Sequence, residues 1–244
     1  RLDAWVRARR AAHRFAFEFA YSSGVAPYLA GATAPRVVDL VDLDAEKWRL
    51  YAARRRGVMR RLYEREARTL AAAEGRIART AALTLLVSEA EADEPRSRPG
   101  VPGERVAVVP NGVDTAVFDP ALAPPRPRPA DAIVFTGAMD YTPNAEAVSW
   151  FVDAVWPALR ARYPELEFWI VGARPTAAVR ALAARPGVVV TGRVDDVRPW
   201  LAHAALAVAP LRVARGLQNK VLEAMAMARP VVASPAATVG LDAA

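Results

Sequence analysis

The segment from Arg215 to Glu223, Arg-Gly-Leu-Gln-Asn-Lys-Val-Leu-Glu, groups two cations and one carboxylate around what reads as the start of a helix. Asn219 suits an N-cap. Val221, Leu222, Met225 and Ala226 follow at helical spacing, and Pro230 stops the run. Lys220 then falls in the first turn, with Arg215 just ahead of it. A helix N-terminus already carries partial positive charge, so each cation there is unfavourable by about a few tenths of a kcal/mol. A bound anion reverses that sign, because free N–H groups and cations converge on it. Glu223, one turn further in, can accept hydrogen bonds from paired hydroxyls such as those of a ribose. The chemistry suggested is the holding of a phosphorylated ligand. The plain alternative is a surface helix start with a solvated Lys and Glu.

The elements that must position this segment alternate between strand and helix. In the first half, Leu2–Ala12 reads as helix and Phe15–Tyr21 as a short aromatic strand. Arg36–Leu43 is an apolar strand broken by Asp39 and Asp42, and Leu50–Ala82 is a long Arg-rich helix weakened at Gly57 and Gly75. Leu83–Val87 is a strand, Glu89–Asp93 starts a helix, Pro95–Gly103 is a loop, and Val106–Val109 is a strand closed by Pro110-Asn111-Gly112. The Pro-rich run from Asp119 to Pro129 reads as a linker. Beyond it, strands 132–136, 167–171 and 188–190 end at or near Gly137, Gly172 and Gly192, and strand 205–209 is followed by the segment from Arg215. Helices are expected from an Asn144 cap to Tyr163, over 176–184 and over 197–204. A final short strand begins at Val231. Strand–Gly–helix repetition implies α/β units with parallel sheets and right-handed crossovers. Ligands in such sheets bind at the carboxyl ends of the strands. The expected boundaries are a first domain over 1–115, a linker over 116–130 and a second domain over 131–244.

The chain has 244 residues, 53% of them hydrophobic and 24% charged, which suits a globular protein with ample core. It contains no apolar run of about 18 residues, the length expected of a membrane-spanning helix. Its first residues do not form a secretory signal. There is no Cys, so no disulfide framework and no thiolate metal site is possible. The expected location is cytoplasmic. The net charge is +7, carried almost wholly by Arg, since Lys47 and Lys220 are the only lysines. The densest basic stretch, Arg49 to Arg79, suits contact with an anionic membrane surface at the inner face of the cytoplasmic membrane. Its plain alternative is a solvated helix face with Glu64 and Glu66 interleaved. No RNA-binding aromatic signature accompanies it, so nucleic acid is not an expected partner.

Several motifs occur in a familiar order. Val108-Val-Pro-Asn-Gly-Val-Asp114 with Phe118 resembles the linker of the family-four glycosyltransferases, which have the GT-B fold. Leu222-Glu-Ala-Met-Ala226 followed by Pro230-Val-Val-Ala233 resembles the core of their donor site. Asp39–Trp48, Phe135–Asn144 with Trp150-Phe151, Gly192–Val197 and Gly216–Glu223 resemble one subgroup, associated with exopolysaccharide and exosortase gene clusters. The resemblance implies two Rossmann-like domains facing a cleft. The activity implied is retaining transfer of a sugar from a nucleotide-sugar donor to a glycan or lipid-linked acceptor, with no metal and no cofactor. It places Glu223 on the ribose, Leu217, Gln218 and Asn219 with their backbone against sugar and diphosphate, and Arg193 and Val194 beside the base. Gly137, Gly216 and Leu222 complete the implied donor site.

The sequence departs from the family at two places. Arg215 stands where relatives hold the first Glu of their E-x(7)-E motif, and Met139-Asp140-Tyr141 stands where many carry an Arg/Lys pair. Arg215 and Lys220 are the candidates for the missing phosphate charge. On the acceptor side relatives often carry a His at a strand end; here Asp42 falls nearby, with Asp39 as its rival. Either Asp can polarise an acceptor hydroxyl or steady developing charge, and either can equally cap the next turn. Asp42-Leu-Asp44 also spells a D-x-D, too short to imply a metal. His13 and His203 read as partly buried helix residues rather than catalysts. Relatives continue beyond both ends of this chain, so both domains are expected to be truncated and these residues alone to turn over poorly. Two other readings are a sugar-nucleotide epimerase of the same architecture and a basic α/β module that binds nucleic acid.

Overall fold

The computed structural model describes residues 1–125, 131–214 and 217–241. They form two compact units. One is Arg1–Asn111 with returns of the chain around Leu217 and from Gly240; the other is Gly112–Ala214 and Gln218–Val239.

In the first unit the order is α1 (Leu2–Ala12), β1 (Glu18–Tyr21), β2 (Arg36–Val41), α2 (Asp44–Ala53), α3 (Gly57–Thr80), β3 (Leu83–Leu86), α4 (Glu89–Arg96) and β4 (Val106–Val108). The strands pair in parallel in the order β1-β2-β3-β4. The core lies around Val38, Leu40, Leu43, Leu86 and Val106. The long helix expected over 50–82 is two helices. Gly57 takes a left-handed φ of +61°, open to glycine at no steric cost, so the chain turns after Arg54-Arg55-Arg56. The turn lets α2 and α3 pack together, and Trp48 and Tyr63 meet edge to face at 5.1 Å. Gly75 does not weaken α3. A Cβ there would stand 2.6 Å from Arg98 Nη1, so its bareness makes room for the guanidinium that donates to the Ala71 carbonyl. Helix α4 runs to Arg96, through the start of the expected loop, with Ser88 capping it by accepting from the Glu91 N–H. His13 is an exposed residue just past α1, not a partly buried helix residue, because the chain turns to an extended conformation there.

The second unit holds β5 (Ala132–Thr136), α5 (Thr142–Ala154), α6 (Trp156–Arg162), β6 (Glu167–Val171), α7 (Ala177–Ala181), β7 (Val188–Gly192), α8 (Arg198–Ala202), β8 (Leu206–Ala209), α9 (Asn219–Ala226) and β9 (Val231–Ala233). Its parallel sheet has the order β7-β6-β5-β8-β9. The connections leave β5 toward β6 and β7 on one side, then return to β8 and β9 on the other. The switch point of the sheet is therefore between β5 and β8, where a ligand crevice forms in such topologies. Strand β5 is buried along its whole length, as a central strand covered on both faces must be.

Three local expectations change in this unit. Asn144 does not cap α5; the helix begins two residues earlier, after Tyr141, and Asn144 is a buried residue of its first turn. The expected single helix to Tyr163 breaks at Val155, because Pro157 has no N–H to continue the ladder. The described part of the Pro-rich stretch does not stand apart. Phe118 and Ala123 pack on the core of this unit, Arg198 donates to the Val117 carbonyl at 3.1 Å, and His203 Nε2 lies 2.9 Å from the Pro124 oxygen. Residues 126–130 lie outside the described residues.

The ends of β5 and β6 approach each other closely. Gly137 and Gly172 both have φ of +153°, and a Cβ on Gly172 would fall 1.7 Å from the Gly137 oxygen. No side chain fits there without separating the two strands. Gly172→Ala is therefore expected to cost more than about 3 kcal/mol in urea unfolding. Gly103→Ala, whose Cβ would meet nothing within 4 Å, serves as the control and should stay near wild type. Equal stability of the two variants would contradict the close approach.

Candidate functional site

The side chains at the switch point come from three separated stretches. Gly137 follows β5, Asn144 sits in the first turn of α5, and Lys220 is the second residue of α9, which follows β8. Lys220 Nζ donates to Asn144 Oδ1 at 2.9 Å and lies 5.2 Å from the centre of the fully buried Phe135 ring. Asn144 Nδ2 donates to the Ala138 carbonyl at 3.0 Å, which fixes the amide's orientation. A Cβ on Gly137 would stand 2.6 Å from Asn144 Nδ2 and 3.5 Å from Lys220 Cε. Gly137 thus has a packing reason of its own: its bareness admits both side chains.

Glu223 stands one turn from Lys220 on α9, half-buried. Burial pushes the Lys220 ammonium down to about 8, and Glu223 opposes that shift. Burial raises the Glu223 carboxyl, and Lys220 opposes that in turn. The pair is a cation and a carboxylate drawn partly out of water, each favouring the other's charged form. Helix α9 is capped by the backbone of Gln218 rather than by Asn219, one residue earlier than expected, and Asn219 is exposed. Its buried face is Val221 and Ala224, while Met225 is 50% exposed, so the apolar stripe is narrower than the sequence suggests. Leu222 is half-buried.

The other expected donor-side residues are more dispersed. Arg193 is exposed and Val194 half-buried, directly after Gly192 at the end of β7, two strands from β5. Leu217 is half-buried, and its carbonyl accepts from Asn111 Nδ2 at 3.5 Å. Arg215 and Gly216 lie outside the described residues. Asp140, in the place of the Arg/Lys pair, is engaged by Arg174 at 2.5 Å, which holds its carboxyl below the ordinary range. Sequence reasoning missed Asn144, read only as a cap. Its signal was present, since a polar amide two residues inside a helix otherwise rich in buried apolar residues requires partners.

Residues 1–117 match the family model described as Glycosyltransferase Family 4, and residues 130–242 match Glycosyl transferases group 1. This is a chain of the GT-B glycosyltransferase fold. No curated protein matches it. Among solved structures it is similar to HepE of Anabaena in complex with UDP-glucose, with 17% identity and a TM-score of 0.68 over 100% of this chain and 65% of that one. It is also similar to WaaG, a glycosyltransferase involved in lipopolysaccharide biosynthesis, with 17% identity and a TM-score of 0.67 over 96% of this chain and 63% of that one. A trehalose-phosphate synthase (UDP-forming) from Burkholderia xenovorans, in complex with glucose-6-phosphate, gives 14% identity and a TM-score of 0.68 over 99% and 64%. The chain spans less than two thirds of the length of these GT-B structures.

In the first unit of this GT-B chain, Asp39 and Asp42 flank an irregularity at the end of β2. The β2–β3 register shifts between Asp39 and Val41, and Val41 has a φ of +68°. A β-branched residue in the left-handed region is strained by roughly 1–3 kcal/mol. Asp39 Oδ1 accepts the Val41 N–H at 2.9 Å, so this carboxylate serves the bulge. Asp42 is half-buried just beyond. Asp44 accepts from Ser23 Oγ at 2.9 Å and pairs with Lys47 at 2.5 Å, so the D-x-D does not present two matched carboxylates.

Two buried carboxylates hold this turn from beneath. Glu91 Oε2 accepts the Leu43 N–H at 3.0 Å, and Glu74 Oε1 accepts the Ala45 N–H at 3.1 Å. Burial pushes Glu74 up to about 7, with Asp44 and Glu94 adding to the shift while the Ala45 N–H and Arg98 oppose it. The folded state therefore keeps a proton that the unfolded chain, at its ordinary 4.5, releases. The stability this group confers is fully present below about pH 4.5. It falls as pH rises to about 7, by roughly 3 kcal/mol in total. Glu74→Gln keeps an acceptor for Ala45 and cannot ionise. In denaturant unfolding the variant should match wild type at pH 5 and exceed it at pH 8. Parallel stability profiles would refute the assignment.

Proposed function

We propose that the chain is a retaining glycosyltransferase that moves a sugar from a nucleotide-sugar donor to a glycan or lipid-linked acceptor in exopolysaccharide or cell-surface polysaccharide synthesis. The observation that carries the donor half is the convergence of Gly137 and Lys220 at the switch point of the second sheet, beside the N-terminus of α9. Lys220 binds the diphosphate, and Glu223 accepts from the ribose hydroxyls. The backbone of Gly137 and of Leu217, Gln218 and Asn219 approaches the sugar and diphosphate. Arg193 and Val194 flank the base, and Leu222 lines the site. Arg215 adds a second cation. The transfer uses no cofactor and no metal, so the charge growing on the departing diphosphate is offset by these cations and by helix N–H groups. Ligands recorded for similar structures, UDP-glucose with HepE and glucose-6-phosphate with the trehalose-phosphate synthase, agree with this substrate class.

Asp42 is the proposed group on the acceptor hydroxyl, with Asp39 committed to the bulge. The strained Val41 between them supports a functional turn, because strain of this kind concentrates at active sites. The protein is proposed to work in the cytoplasm, peripheral to an anionic membrane. No helix among the described residues is long and apolar enough to cross one. The support is the start of α3, where Arg54, Arg55, Arg56, Arg60 and Arg61 are exposed beside Val58, Met59 and Leu62. Arg60→Glu with Arg61→Glu should abolish co-sedimentation with anionic lipid vesicles; unchanged sedimentation would remove the membrane from the proposal.

The donor reading is tested by thermal shift against UDP-, ADP- and GDP-sugars, since a ligand of the folded state raises the midpoint. One nucleotide class should raise it. Lys220→Ala should then weaken that ligand by about 10- to 100-fold, the scale of a lost charge-assisted contact. Unaltered donor affinity would remove Lys220 from the diphosphate.

A further inference from the structure

The geometry points to Asn144 as the residue that positions Lys220 for a nucleoside diphosphate, a role that rests on the donor reading above. Four observations meet at this amide. Asn144 is 4% exposed, although nothing in the α5 backbone requires an amide at that place. Both ends of its side chain are used, Nδ2 on the Ala138 carbonyl and Oδ1 on Lys220 Nζ. It therefore ties the turn after β5 to the start of α9, the two loops that flank the switch point. Gly137 leaves the space it occupies.

The chemistry of the contact explains why an amide stands there. An ammonium has three donors. The Asn144 oxygen takes one, and the Phe135 ring lies 5.2 Å from the same nitrogen. A neutral acceptor fixes the direction of the ammonium without neutralising it, so its charge stays available to an incoming phosphate. A carboxylate at the same place would hold Lys220 as firmly and cancel that charge.

The consequence is a pH limit on ligand binding. Among the described residues the charged group acting on Lys220 is Glu223 of its own helix. Strand β5 presents Phe135 and α5 presents Asn144, and neither titrates. Burial brings the ammonium down to about 8. A phosphate binds the protonated form, so affinity should fall as pH rises past that value, by about tenfold per pH unit until the bound-state value is reached.

The test is calorimetric titration of the full chain with UDP, or with the nucleoside diphosphate selected by thermal shift, from pH 7 to pH 9. It uses wild type, Asn144→Asp and Lys220→Met. Titration of the nucleotide itself is common to all three and cancels in the comparison. Wild type should lose affinity above about pH 8, and Lys220→Met should lack that additional loss. In Asn144→Asp, overall affinity should fall and the loss with pH should move upward by one unit or more, because a carboxylate beside the ammonium favours its charged form. If Asn144→Asp does not fold, Asn144→Gln should fold with the amide displaced and give weaker binding at every pH. An Asn144→Asp profile that inflects where wild type does, or an Asn144→Gln affinity equal to wild type, would overturn the positioning role and leave the donor reading intact. Failure of wild type to bind any nucleoside diphosphate would overturn both.

Discussion

A lysine drawn out of water beside a helix N-terminus is the constraint on which the second unit depends. Burial disfavours the Lys220 charge, and the N-terminal dipole of α9 has the same sign. Glu223, the Phe135 ring and the Asn144 oxygen compensate only in part, since the ammonium still titrates well below an ordinary lysine. Electrostatics of this kind are relieved by an anion. The surrounding architecture reads as the means of holding a cation where an anion can reach it.

That architecture begins with glycine. The Gly137–Gly172 approach brings the ends of β5 and β6 together, and the turn after β5 then offers the Ala138 carbonyl to Asn144. The sheet order puts the loop after β8 next to β5, so a residue 76 positions further along the chain arrives at the same amide. Core packing supports the arrangement. Val221 and Ala224 bury one face of α9 and leave Lys220 and Glu223 only half-buried. A one-residue change in helix phase would bury the charges and expose the apolar stripe.

Much of this was legible in the sequence, for physical reasons. Short apolar runs ending in Gly announced the parallel strands, and the spacing of Lys220 and Glu223 placed them on one helix face. What the sequence hid was long-range. Nothing local in Arg54–Gly57 distinguishes a weakened helix from a turn; the aromatic packing of Trp48 against Tyr63 settles it. Asn144 near a helix start looks like a cap by local preference, and only the arrival of Lys220 gives it a different task. Nothing local marks Glu74 and Glu91 as buried acceptors. Their donors, the N–H groups of Ala45 and Leu43, are 29 and 48 residues distant.

The two units treat the start of a helix in opposite ways, and the contrast fits the donor site proposed for the second. At α2 the N–H groups of Leu43 and Ala45 are taken by the buried side chains of Glu91 and Glu74, acceptors supplied from within the protein. An external anion there would find those donors already taken, so α2 is a closed end. It serves to hold the turn that carries Asp42. At α9 the residue supplied is a lysine, and its fixed partner is a neutral amide. Among the described residues the carboxylate acting on Lys220 is Glu223, one turn along. On the proposed donor reading, the two helix starts differ by which side chains stand at the strand ends, and the sheets supply only the places where they stand.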